Sequence, residues 1–382
     1  MSHSPVRRSR LWATAAGAAA LLTALAACAS AATAASGGAT STGPSSPAVT
    51  APTSAASSTG VADSSPAPSG SVAVPTNPEW TTTSGSTTVT VGALSNGAAK
   101  QTDITVPTVD AIKAELPAAV RDSGQLTIGL GALPAGFPPL AFVGSDQQTL
   151  TGAEPDLGRL VAAVFGLKPV VNNATWDNLF VGIDSGKNDV GFSNITDTEQ
   201  RKQKYDFASY RQDNLAFEVL SSSTWDFAGN YENLAGKTFA VGSGTNQEKI
   251  LLQWQTQLQG EGKDLTVKYF PDQSATYLAL DSGKIDAYFG PNPGIAYHIT
   301  QDAGSNAPTR NAGKWSGAGG TLQGLIAATT KKGDGLAQPL ADAINYLIAN
   351  GQYATWLAAW NLSNEAVGSS QVNPPGLPLS NS

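Results

Sequence analysis

The sequence predicts an α/β protein built as two similar lobes, and three observations predict it. Past about residue 110, short apolar runs alternate with amphipathic helical patterns, the sign of strands and helices packed in layers. The element Asp184-Ser185-Gly186-Lys187-Asn188-Asp189-Val190 recurs as Asp281-Ser282-Gly283-Lys284-Ile285-Asp286-Ala287, each copy following a helical pattern and preceding an apolar run. The copies lie about a hundred residues apart, the size of a small domain. A common helix-to-strand turn with Gly as the helix stop would explain either copy alone, but the matched flanks favour a repeat. Finally, the poverty of charge, 13% of 382 residues, is concentrated near the N-terminus and leaves enough chain for two cores.

The elements follow in order. Arg7, Arg8 and Arg10 precede an apolar Ala/Leu run over residues 11–27, which reads as a secretory signal segment, too short and too small at its end for a spanning helix. Leu25-Ala26-Ala27-Cys28 resembles the lipobox of bacterial lipoproteins, which implies cleavage after residue 27 and lipidation of Cys28, the sole cysteine. Loss of those arginines would move the charge from −7 to −10. Residues 28–109, dominated at first by Ala, Ser, Thr, Gly and Pro, read as a disordered tether. Buried strands are expected at 126–130, 169–171, 190–192, 215–220, 238–241, 265–270, 285–289 and 322–328. Helices are expected at 156–165, 176–184, 198–204, 246–258, 274–281, 293–302, 336–350 and 353–360. In such a fold a ligand sits beyond the carboxyl ends of the strands.

Several chemistries are disfavoured. One cysteine permits no disulfide and no thiolate metal cluster. The acidic balance gives no reason to bind nucleic acid. No nucleophile elbow, phosphate loop or zinc motif is visible. His298 lies in a helical pattern, where a surface or core histidine is the plain expectation. Glu154 and Asp156 flank Pro155, which marks a helix start, so helix capping is the expected role of the two acids. No catalytic residue, metal or cofactor is therefore expected.

The segments also resemble, in order, the bacterial extracellular solute-binding proteins of family 3, from about residue 126 to 360. Phe137-Pro138-Pro139-Leu140-Ala141-Phe142 after the first strand, Trp176-Asp177-Asn178-Leu179, Asn194-Ile195-Thr196-Asp197-Thr198-Glu199-Gln200-Arg201 running on to Tyr205-Asp206-Phe207, and Gly242-Ser243-Gly244-Thr245 carry the likeness. The resemblance implies a two-lobed fold of the type II periplasmic-binding-protein kind, each lobe a mixed, mostly parallel sheet flanked by helices. Lobe 1 would take residues 110–218 and 321–363, lobe 2 residues 219–320, and residues 364–382 a C-terminal tail, with the hinge at 217–221 and 319–324. It further implies a monomeric, lipid-anchored component of an ABC importer, outside the cell membrane, whose permease and ATPase are other chains. Its cargo would be an amino acid, a derivative or another carboxylate. A cleft enzyme resembling cyclohexadienyl dehydratase and a ligand-sensing lipoprotein are the alternatives.

By the same resemblance Arg201 grips a carboxylate, helped by Thr196 and Asn194. Ser243, Thr245 and Asn246 present a helix start to it, and Phe137 and Trp176 sandwich the ligand. Read without the family, Arg201 is a solvated surface arginine, Thr196 or Thr198 a helix cap, and the two aromatics ordinary core. The sequence departs from the pattern at Gly131 and Pro291, where the family places acids for the ligand's ammonium. Asn292 is the neutral neighbour left to stand in, so an unusual ligand is expected.

Overall fold

The computed structural model describes residues 83–379; the signal segment, Cys28 and the tether up to residue 82 lie outside them. The chain begins with β1 (Thr83–Val91), β2 (Thr102–Val109), α1 (Asp110–Glu115), α2 (Ala118–Ser123), β3 (Gln125–Leu130), β4 (Phe142–Val143), β5 (Leu150–Thr151), α3 (Ala153–Phe165), β6 (Lys168–Asn173), α4 (Trp176–Asp184), β7 (Val190–Gly191) and β8 (Tyr205–Gln212). It continues through β9 (Asn214–Leu220), β10 (Thr238–Ala240), α5 (Asn246–Gly260), β11 (Thr266–Lys268), α6 (Gln273–Asp281), β12 (Ala287–Pro291), α7 (Asn292–Asp302) and β13 (Thr309–Ser316). β14 (Leu325–Lys331), α8 (Ala337–Ala349) and α9 (Gln352–Ala359) complete it.

Two five-stranded sheets result, ordered β6-β3-β7-β14-β8 in lobe 1 and β11-β10-β12-β9-β13 in lobe 2. Each has two parallel pairings and two antiparallel ones, so the sheets are evenly mixed rather than mostly parallel. The antiparallel half exists because the chain passes straight from sheet to sheet at β8–β9 and β13–β14, with no intervening helix to return it parallel. The first crossover lies at Asp213, several residues before the expected boundary at 218, and β9 belongs wholly to lobe 2.

The internal repeat is real in three dimensions. The copies follow α4 and α6 and lead into β7 and β12, which occupy matching central places in the two sheets. Gly186 and Gly283 both adopt left-handed backbone, φ 72° and 69°, where a side chain would be strained. Asp189 Oδ2 accepts the Thr127 N–H at 2.7 Å, and Asp286 Oδ2 accepts the Thr238 N–H at 2.8 Å, so each copy clasps its own neighbouring strand.

Lobe 1 forms around α3, every residue of which is buried except Arg159. A helix buried on all sides must be covered on all sides, and the acids it carries, Glu154 and Asp156, must find partners there. One cover is an element outside the expected lobes. β1 and β2 pair antiparallel, Val89, Val91, Ile104 and Val106 alternate onto the core, and Val109 is buried at the end of β2. The tether expected over 28–109 therefore ends before residue 83. Its Ser/Thr/Gly composition concealed a period-two apolar face, and threonine is itself a good strand residue. Lobe 2 is an aromatic core in which Phe217 stacks on Phe289 at 4.3 Å, amid Trp225, Phe227, Phe239 and Trp254.

Two other expectations are corrected. Residues 198–204 form no α-helix, only a 3-10 turn at Arg201–Gln203. Thr198 Oγ1 accepts the Arg201 N–H at 3.1 Å, a local side-chain bond, and the backbone adds one i→i−4 bond, Lys202 N–H to Thr198 O at 3.0 Å, before the turn ends. Residues 364–379 are not a loose tail. Gln371 and Asn373 bond to Ser209 and Phe207 at the edge of β8, Leu377 is 2% exposed in the lobe 2 core, and Lys249 Nζ of α5 donates to Pro378 O at 2.6 Å.

Candidate functional site

A cavity of about 370 Å³ opens between the lobes at the carboxyl ends of their strands, where α/β sheets bind ligands. Lobe 1 contributes the loop after β3, residues 131–137, together with Glu154, the start of α4 at residues 175–177, and Ser193 and Asn194 after β7. Lobe 2 contributes residues 241–243 and 245–247, residues 270–273 with Thr276, and the end of β12 at residues 288–291.

Beside it lies a buried ionic cluster. Arg211 Nη2 donates to Glu154 Oε1 at 2.7 Å and to Asn194 Oδ1 at 2.6 Å, Nη1 donates to Glu365, and the Tyr210 hydroxyl donates to Glu154. Burial opposes the arginine's charge, but Glu365 and Glu154 more than offset it and hold its pKa above the ordinary value. Glu365 is pushed up by burial, against the pull of Arg211. Glu154 and Asp156 are thus not helix caps, and α3 has no side-chain cap. Asp156 Oδ2 instead accepts the Gly92 N–H at 2.7 Å and the Trp360 Nε1–H at 3.1 Å.

Asp213, at the crossover, joins the lobes. Its Oδ2 accepts from Thr196 Oγ1 of lobe 1 at 2.8 Å and from Asn246 Nδ2 of lobe 2 at 2.9 Å. The same Asn246 nitrogen donates to Gly317 O at 3.0 Å on the second crossover. Burial raises the Asp213 pKa. A second interlobe contact centres on Gly244, whose carbonyl accepts from Trp176 Nε1 at 3.3 Å and from Arg201 Nη2 at 3.2 Å.

The model for the bacterial extracellular solute-binding proteins, family 3, matches residues 131–363, well over half of the chain and both lobes of the cavity. The chain belongs to this family. It is 30% identical over 168 residues to the L-cystine-binding protein TcyJ of Escherichia coli K12, which covers 44% of this chain and 59% of TcyJ. It is 27% identical to the arginine-binding protein ArgT of Corynebacterium glutamicum over 69% of this chain and 83% of ArgT. The chain thus spans less than two thirds of the length of TcyJ. Among solved structures, an ancestral arginine-binding protein bound to arginine is similar at 26% identity, with a TM-score of 0.53 over 62% of this chain and 98% of that one.

Within this family 3 chain, the structure brings Phe137, Trp176, Asn194, Ser243, Thr245 and Asn246 to the cavity and leaves three expected residues out of its lining. Thr196 is 1% exposed and bound to Asp213. Asn292 is buried at the start of α7. Arg201 lines a second cavity with Lys204 and Lys249. Its Nη1 donates to Thr196 O at 2.9 Å, and its guanidinium lies 5.4 Å from the Trp176 ring and 5.5 Å from the Phe180 ring. Burial pushes its pKa down to about 10, so it stays charged at neutral pH. The side chain of Asn194 is also committed, to Arg211. Residues missed by the sequence reading are Arg211, Asp213, Glu365, Gln247, Gln273 and Tyr288. A charged residue inside an aromatic strand, as in Tyr210-Arg211-Gln212, was the available signal, since it demands a buried partner. His298 is a lobe 2 residue, its Nδ1 2.5 Å from Glu218 Oε1 and its ring stacked on Tyr277 at 3.4 Å.

Asp197, beside this network, is fully buried with no hydrogen bond to either oxygen, and Lys202 Nζ is 3.3 Å away. Burial pushes its pKa up to about 7. A carboxyl raised on folding binds its proton more tightly in the folded state, so stability falls as pH rises from about 4 through about 7. The urea midpoint is expected to drop between pH 5 and pH 8, and to drop less in Asp197→Asn; equal drops in the two proteins would show Asp197 is not a source.

Proposed function

We propose that this chain is the extracytoplasmic solute-binding component of an ABC importer, capturing a small amino-acid-like solute between two closing lobes. The observation that carries it is the cavity itself, walled from both lobes by strand-end loops, with the lobes bridged beside it through the Gly244 carbonyl. A ligand that contacts both walls binds the closed form better and therefore shifts the population toward it. The relatives whose names specify L-cystine or arginine support a solute of that size. Cys28, lipidated, would hold the protein at the outer face of the cell membrane, with residues 29–82 as the spacer. The permease and ATPase would be separate chains, and the binding component would work as a monomer.

Binding is favoured over catalysis by the chemistry of the wall. Among the described residues, the cavity lining contains no histidine, cysteine, lysine or arginine, and its buried carboxylate, Glu154, is occupied by Arg211 and Tyr210. Of the other two lining carboxylates, Asp272 accepts the Ala275 N–H at the start of α6, and Asp177 has no histidine, lysine or cysteine beside it in the lining to complete an acid–base pair. The test is calorimetric titration of the full chain with the twenty amino acids and small amines. Micromolar or tighter binding of at least one solute is expected; no binding across the set would overturn the reading.

A further inference from the structure

Phe137 of lobe 1 lies directly on Gly294 of lobe 2. A methyl group added at Gly294 would sit 2.6 Å from Phe137 Cε2 and 2.7 Å from Cζ, so the ring occupies the place where any side chain there would begin. Gly294 is buried in the first turn of α7, and Phe137 belongs to the loop after β3. Tyr297, one turn further along α7, also packs on the lobe 1 core.

The ring is firmly mounted. The Phe137 N–H donates to Ala141 O at 2.6 Å, and Phe137 O accepts from the Leu140 N–H at 2.8 Å and the Ala141 N–H at 3.0 Å. A tight loop thus carries it as a fixed knob. The seat is equally well defined, because Pro293 lies in the first turn of α7, where its missing N–H costs nothing. Gly294 has ordinary helical backbone, which any residue can adopt, and glycine there is less stable than alanine. The backbone therefore gives no reason for glycine at 294, whereas the Phe137 ring does.

The contact at Gly244 differs in kind. A methyl group there would lie 3.4 Å from Trp176 Nε1, an ordinary contact, and the turn itself asks for glycine through its left-handed φ of 72°. Of these two interlobe contacts, only the one at Gly294 is limited by the size of the residue.

We propose that Phe137 and Gly294 form a size-matched clasp that brings the lobes together at the cavity before a solute arrives, with Gly294 the positioning residue that sets how closely they approach. Phe137 also lines the cavity, so the clasp forms part of the wall it closes. The purpose of the clasp rests on the solute-capture reading above, since a larger closed population raises apparent affinity in proportion. The contact itself involves only protein atoms and is tested without a solute.

The test is pulsed spin-label distance measurement on the full chain with no solute added. Labels go on Val181→Cys in α4 and Leu278→Cys in α6, positions 59% and 67% exposed on different lobes, with Cys28→Ser removing the sole native cysteine. In this parent the main population is expected at the spacing the structure sets. Gly294→Ala is expected to cut that population at least about threefold and shift the remainder to longer distances, although alanine strengthens α7. Adding Phe137→Leu, which lacks Cε2 and Cζ, is expected to restore most of it. A parent whose lobes stand apart, an unchanged distribution in Gly294→Ala, or a shift that Phe137→Leu does not reverse would each overturn the clasp. All three results leave solute capture standing, and the calorimetric titration above decides that separately.

Discussion

Arg211→Met is expected to destabilise the folded protein by about 3–5 kcal/mol at pH 8, because it leaves two buried carboxylates without their counter-charge. Glu154 and Glu365 are both fully buried, and both contact the guanidinium. Removing it takes away the only cation in contact with them among the described residues, while Tyr210 still donates to Glu154. The loss carries a pH signature. Without Arg211 the main pull against the burial that already pushes Glu365 up is gone, so it holds its proton more tightly folded than unfolded, the variant loses stability as pH rises above the ordinary glutamate range, and the deficit shrinks toward pH 5. Adding Glu365→Gln should restore part of the loss, since it removes one of the stranded charges. Urea unfolding of the three proteins at pH 5 and pH 8 measures this. A deficit below about 1 kcal/mol, or one independent of pH, would mean that the cluster is not the ionic keystone its geometry indicates.

Deleting residues 371–382 is the second change with a large expected effect. The segment adds hydrogen bonds along β8, at Ser209 and Phe207, and its Pro374 carbonyl accepts from Lys202 in lobe 1. It then crosses to lobe 2, where Leu377 enters the aromatic core and Lys249 holds Pro378. Burying Leu377 alone is worth about 2–5 kcal/mol by the cost of a leucine-to-alanine change in a core. Contacts made to both lobes at once also hold the lobes in the arrangement that forms the cavity. A smaller closed population lowers apparent affinity in proportion. Leu377→Ala is therefore expected to lower the unfolding midpoint, and the deletion to lower it further and weaken solute binding by about tenfold. Stability reduced with affinity unchanged would assign the segment to packing alone.

The alternation of strand and helix was legible because it rests on local periodicity. α4 begins and ends at the expected residues, and the repeat predicted matching turns down to their left-handed glycines. What was illegible depends on partners far away in the chain. Arg211 meets Glu154 across 57 residues and Glu365 across 154, distances no sequence pattern spans. Arg201 was legible as part of a motif, but where its side chain ends is decided by the Gly244 carbonyl of the other lobe. β8 and β13 were missed because Tyr205–Gln212 and Thr309–Ser316 mix polar residues into strands that lie against both crossovers. The β1–β2 hairpin was hidden by composition, which counts residues without recording which face they share.

The most direct test of the account is hydrogen–deuterium exchange of the full chain with and without a solute that binds it in calorimetry. Closure over a shared cavity predicts simultaneous protection in residues 131–137 and 175–180 of lobe 1 and in residues 243–247 and 270–276 of lobe 2. Protection confined to one lobe, or centred on residues 200–205 at the second cavity, would contradict it.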